Sequence, residues 1–131
     1  MTEPDPRLGM TVTHRRYVPY AHAHYGGSLV DGAYTLGLFG DVATEAAIRM
    51  DGDEGLLAGY SEVRFLGPVR AGDVLEATVE VVRVGRRSRE LRCTARVVAR
   101  AEPERGPSAA RVLEPAQTVV EAVATLVVPA S

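Results

Sequence analysis

The sequence predicts an α+β fold in which one long central helix is wrapped by an antiparallel sheet of about five strands. Three observations carry this. One apolar segment, Leu29 to about Met50, has helical spacing. From Leu57 onward the hydrophobic period becomes two, in runs separated by Gly, Pro and Asp turns. The length, 131 residues, suits a single domain with a real core, spanning 1–131.

The elements follow in chain order. Residues 1–9 carry prolines and no periodicity, and read as a loose arm. Met10 to Val18 alternates weakly and predicts a strand, with His14 in a structural position. Pro19 to Gly27 predicts a loop. Ser28 has the character of a helix N-cap, with Asp31 completing a capping box. Leu29, Ala33, Leu36, Ala43 and Ala47 share a helical face, flanked by Phe39, Ala46 and Met50. Gly32, Gly37 and Gly40 interrupt this helix at roughly 1 kcal/mol each, which predicts close packing on the sheet. Asp51-Gly-Asp-Glu-Gly55 ends it.

Strands are then predicted over Leu57–Leu66, Val74–Val84, Arg89–Arg100 and Thr118–Val128. In the third of these, Leu91, Cys93, Ala95, Val97 and Ala99 point inward. Gly85-Arg-Arg-Ser88 is a turn. The polar Pro/Arg stretch Glu102 to Pro115 predicts a mobile loop. A helix wrapped by such a sheet is the hotdog arrangement. One such sheet leaves an edge open, so a homodimer or higher even homo-oligomer is expected.

Composition removes several function classes. The formal net charge of -2 argues against a nucleic-acid partner. All 15 basic residues are arginine, which excludes lysine Schiff bases and any P-loop. Cys93 is the single cysteine, so neither an internal disulfide nor a cysteine-rich metal site is expected. Apolar runs are too short for a membrane span, and the polar start Met-Thr-Glu-Pro-Asp-Pro does not resemble a secretory signal. A cytoplasmic location is the expectation.

The densest chemistry lies in His22-Ala-His24-Tyr25-Gly26-Gly27-Ser28-Leu-Val-Asp31-Gly, just before the helix. Glycines there let a ligand approach backbone N–H groups, and the helix dipole favours negative charge. Acid–base candidates are Asp31, His24, Tyr34, Asp41 and Glu45. Asp31 caps the helix, performs chemistry, or does both. Glu45 and Arg49 also have the spacing of an ordinary surface ion pair. His22 reads as a solvated loop residue. Arg86, Arg87 and Ser88 suit the phosphates of a ligand, and equally a charged hairpin turn.

These motifs carry a resemblance. Phe65-Leu-Gly-Pro-Val69, Ala71-Gly-Asp73 and Gly85-Arg-Arg-Ser88 resemble the strand–turn pattern of hotdog acyl-CoA thioesterases. More specifically, Ala23-His-Tyr-Gly-Gly-Ser-Leu-Val-Asp31-Gly-Ala, Leu38-Phe-Gly-Asp41-Val-Ala-Thr-Glu45 and Asp51-Gly-Asp-Glu-Gly55 resemble the acyl-CoA ammonia-lyases. That family includes 3-aminobutyryl-CoA ammonia-lyase of lysine fermentation and β-alanyl-CoA ammonia-lyase. The likeness runs from about Tyr17 to the C-terminus and is weakest over Glu102–Pro115.

The resemblance implies elimination of ammonia from a β-aminoacyl-CoA to a 2-enoyl-CoA, or the reverse, without a metal or organic cofactor. Such a reaction needs a base for the α-proton, charge stabilisation at the thioester oxygen and a proton donor for the leaving amine. By analogy, that oxygen sits over the N–H groups of Gly26, Gly27 or Ser28. Asp31 is the first choice for acid/base, with His24, Asp41 and Glu45 as helpers. Tyr25, Tyr34, Arg86, Arg87 and Ser88 complete the expected substrate contacts. The thioesterase pattern places an acid near Tyr34 and Thr35, and neither is a carboxylate. This departure favours a lyase over a hydrolase. A non-catalytic acyl-CoA-binding module is the third reading.

Overall fold

Alternation of apolar and polar residues becomes five strands in the computed structural model, which describes residues 3–129; residues 1–2 and 130–131 lie outside it. The strands are β1 (Thr11–Tyr17), β2 (Leu56–Phe65), β3 (Val74–Val84), β4 (Ser88–Ala101) and β5 (Ala110–Val127), and one helix, α1 (Gly32–Asp51), precedes β2. They form a single antiparallel sheet in the order β1-β3-β4-β5-β2. This is the expected hotdog layout. No helix among the described residues is long and apolar enough to cross a membrane.

The core lies between α1 and one sheet face. Leu75, Ala77, Val79 and Val81 of β3, and Leu91, Cys93, Ala95 and Val97 of β4, are sealed by strand alternation. Burial pushes the Cys93 thiol up to about 12, so it is an inert core residue. The helix contributes Leu38, Phe39, Val42, Ala43, Ala46 and Ala47. Removing the Phe39 side chain from this core costs about 3–5 kcal/mol.

That face is rotated from the expected one. Ala33 is exposed and Leu36 only half-buried, because the glycines blur the apolar stripe. Gly32 does permit close packing: a Cβ there would lie 2.5 Å from Phe65 Cε1. Gly37 faces open space, so the packing expected of it is absent. The flank of α1 carrying Gly32, Leu36 and Gly40 runs along β2, where Tyr60 Oη donates to the Leu36 carbonyl at 2.6 Å. The helix ends at Gly52, in the left-handed region (φ 65°), whose N–H donates to Ile48 O.

Two expected loops are ordered differently. The arm is not loose over its described part: Arg7 bonds Asp5 and Asp51, and Gly9 N–H donates to Val81 O. The Glu102–Pro115 loop shrinks to residues 102–109, since β5 begins at Ala110. It is closed by Glu102 N–H donating to Ala109 O, and by Glu102 pairing with Arg105. Pro115 hid the strand start; it sits where the β4–β5 register shifts between Val97 and Ala99.

Candidate active site

Between β1 and α1 the chain makes two short 3-10 turns, Tyr20–His22 and Gly26–Ser28, and doubles back on itself. The His24 and Tyr25 N–H groups both donate to Leu29 O, at 2.7 and 2.9 Å. The fold of the second turn needs a glycine at position 27, which has φ 69°. Ser28 follows at φ 63°, a conformation that L-residues adopt rarely. Both carbonyls are anchored: Arg70 Nη1 donates to Gly27 O and Ala71 N–H to Ser28 O, each at 2.8 Å. The N–H groups of Gly26 and Gly27 donate to no backbone carbonyl among the described residues. Both glycines are exposed.

The helix therefore starts later than expected. Val30 N–H pairs with Val69 O, and Asp31 takes the extended N-cap conformation (φ -71°, ψ 157°). Ser28 is not the cap, and no capping box forms, because the Gly26–Ser28 turn is a separate unit. The half-buried Asp31 side chain makes no cap hydrogen bond. Its carboxylate stands at the positive end of the helix dipole, the end that stabilises an anion.

The glycine turn forms one wall of a cleft of about 710 Å³, whose lining includes Tyr20, Gly27, Ser28, Arg70, Arg100 and Glu104. Asp73, fully buried, lies at its base. Its carboxylate accepts two bonds from Arg100, both 2.9 Å, and one from the Arg70 N–H at 2.8 Å. A buried carboxylate is tolerated because a charge-assisted fork and a backbone donor replace its water.

The remaining candidates divide. Tyr34 is half-buried and packs at a tilt on the exposed His22, ring centroids 4.8 Å apart. His24 and Tyr25 are exposed and meet edge to face at 4.6 Å. Asp41 and Glu45 are not brought to the glycine turn. They lie on the flank of α1 facing β1, where Asp41 pairs with Arg16 at 3.2 Å. Glu45 is held by both Arg49 and His14 at 2.7 Å, and these two bonds, Arg49 first, keep its carboxyl below the usual range. Ten residues of helix put Asp41 roughly 15 Å beyond Asp31.

Arg86, Arg87 and Ser88 form the β3–β4 turn at the opposite end of α1 from the glycine turn, about 30 Å away along a 20-residue helix. Both arginines are exposed. No group of three or more metal-ligating side chains clusters among the described residues. Sequence reasoning missed Arg70, Asp73 and Arg100. The signal available was an acid and a base three residues apart, Arg70 and Asp73, in a Gly-bearing turn.

The Thioesterase superfamily pattern matches residues 27–104. Over 107 residues the chain is 49% identical to 3-aminobutyryl-CoA ammonia lyase of Acetoanaerobium sticklandii, covering 82% of this chain and 85% of that protein. The chain belongs to the acyl-CoA ammonia-lyase family of the thioesterase superfamily. Another ammonia lyase of known structure, the β-alanyl-CoA:ammonia lyase from Clostridium propionicum, superposes with a TM-score of 0.87 at 32% identity, covering 92% of this chain and 86% of that one. A hexameric thioesterase from Yersinia pestis shares the fold at a TM-score of 0.72 and 17% identity, over 97% of this chain and 90% of that one. The ammonia-lyase likeness thus covers most of the chain.

Proposed function

We propose that the chain is a carbon–nitrogen lyase that eliminates ammonia from a short β-aminoacyl-CoA, of the 3-aminobutyryl-CoA type, to give a 2-enoyl-CoA, or runs the reverse addition. The observation that carries this is the near full-length match to a 3-aminobutyryl-CoA ammonia lyase. The site supports it: two backbone donors with no backbone partner among the described residues precede, within five residues of chain, a carboxylate that capping does not occupy.

In this reading the thioester oxygen lies against the Gly26 and Gly27 N–H groups. Asp31 takes the α-proton. The C–H electron pair moves onto the thioester oxygen as an enolate, which the donors stabilise. Its return forms the Cα=Cβ bond and expels the protonated amine as ammonia. His24 is the nearest imidazole in sequence for proton exchange. The chemistry needs no metal or organic cofactor, because coenzyme A arrives with the substrate.

The proposal includes a homodimer or a higher even homo-oligomer. β2 is a free edge strand, and it leaves Leu56, Phe65 and the neighbouring Leu66 exposed. Pairing two such edges satisfies their backbone groups and covers these side chains. Light scattering should show no stable monomer across the working concentration range.

The deciding experiment incubates the protein with crotonyl-CoA and ammonia and follows two products. 3-Aminobutyryl-CoA without free thiol is expected. Free thiol alone identifies a thioesterase, and neither product with retained CoA-thioester binding identifies a binding module.

A further inference from the structure

We infer that Arg70 is the positioning residue for the glycine turn, and so for the donors that face the thioester oxygen; this rests on the lyase reading above. The turn has two consecutive residues, Gly27 and Ser28, in the left-handed region, and Ser28 is not a glycine. Such a conformation persists only where its surroundings over-determine it. Two bonds do so here. One, from the Ala71 N–H to Ser28 O, belongs to the backbone and is indifferent to side chains. The other, from Arg70 Nη1 to Gly27 O at 2.8 Å, is a side-chain bond from 43 residues away.

The Arg70 backbone is itself fixed. Its N–H donates to Asp73 Oδ2, its carbonyl accepts the Asp73 N–H at 3.0 Å, and Arg100 holds Asp73 from the far side. Arg100 also donates to Pro68 O, two residues before Arg70. The result is a chain of contacts, Arg100 to Asp73 to Arg70 to Gly27 O, that ends on the peptide next to the donor pair. A peptide unit is planar, so a bond that fixes the Gly27 carbonyl fixes the following peptide plane and narrows the orientations open to the turn. Arg70 thereby acts on the reaction through the backbone. It also lines the cleft, which makes direct ligand binding the competing explanation.

The test uses the full chain as Arg70→Met and Arg70→Lys, compared with the parent. Arg70→Met keeps the stem of the side chain and all backbone bonds of residue 70, and removes the donor. Its kcat for crotonyl-CoA amination should fall about ten- to a hundredfold, with KM changed less than about threefold. Arg70→Lys restores one donor and should recover part of kcat. A second readout needs binding and no turnover: the infrared carbonyl stretch of bound, carbonyl-13C-labelled crotonyl-CoA. Polarisation by the donors moves this band to lower frequency in the parent. It should return toward its solution position in Arg70→Met, and part-way in Arg70→Lys.

A rise in KM alone, with an unmoved band, would make Arg70 a ligand-binding residue and overturn the inference. So would full kcat in Arg70→Met, or a parent band already at its solution position. A protein that binds crotonyl-CoA and forms no aminobutyryl-CoA sinks the lyase reading and leaves the infrared test of Arg70 intact. If Arg70→Met does not fold, the Arg70→Lys kcat and band decide alone: both indistinguishable from the parent or both partly lost supports positioning only in the second case.

Discussion

Arg89 grips Asp51 through Nε at 3.1 Å and Nη2 at 2.9 Å while only 3% of the Arg89 side chain is exposed. The same guanidinium donates to Gly85 O and Ser88 O. One side chain therefore ties the last residue of α1 to the β3–β4 turn. Arg89 sits on the same strand phase as Leu91 and Cys93, which is why it points inward. Arg89→Met should destabilise the protein by about 3 kcal/mol, the low end for breaking a buried pair, because Arg7 still faces Asp51. Urea unfolding measures it, and a loss below about 1 kcal/mol would reduce the pair to a surface contact.

Acid stability should depend on the same pair. Asp51 is held below its usual value by Arg89 first and Arg7 second, against the opposing effect of burial. Arg7 holds Asp5 at about 2, and Glu45 is lowered by Arg49 and His14. Carboxyls depressed in the folded state stabilise it above their unfolded values, 3.8 for Asp and 4.5 for Glu. That contribution is lost as pH falls through the folded values. The urea midpoint should be flat from pH 7 to about pH 5 and drop below that. In Arg89→Met the drop should be shallower; parallel curves would show that Asp51 does not carry it.

Gly37→Ala should stabilise the protein by about 0.5–1 kcal/mol, the helix propensity that glycine forfeits. A Cβ at this position meets nothing within 4 Å. A lower melting temperature instead would mean that this helix face is covered by another copy in the assembly.

Residues in regular alternation announced themselves. β3 was bounded by Asp73 and Gly85 and matches its expected ends, Val74 and Val84. Errors arose where local chemistry mimics another element. Ser28 has the composition of a cap, yet Val30 still pairs with Val69 before the helix begins. Pro115 reads as loop, yet β5 continues on both sides of it, paired to β4. The partners that hold Asp41 and Glu45 within the protomer, Arg16 and His14, lie 25 and 31 residues away on β1. Nothing in local spacing encodes such a contact, nor the reach of Arg70 to Gly27.

Those partners sharpen the prediction about catalysis. Asp31→Asn should lower turnover at least about a hundredfold, the low end for a general acid–base group. Stability should change little, because the Asp31 side chain makes no cap hydrogen bond that Asn would have to replace. Asp41→Asn and Glu45→Gln should leave turnover within about threefold of the parent, since both side chains are engaged with residues of β1. Steady-state rates with crotonyl-CoA and ammonia separate the three variants. Near-normal turnover in Asp31→Asn together with a dead Glu45→Gln would reverse the assignment: Asp31 would be a helix-start residue only, and the proton chemistry would belong to the Glu45–His14 pair on the β1 flank.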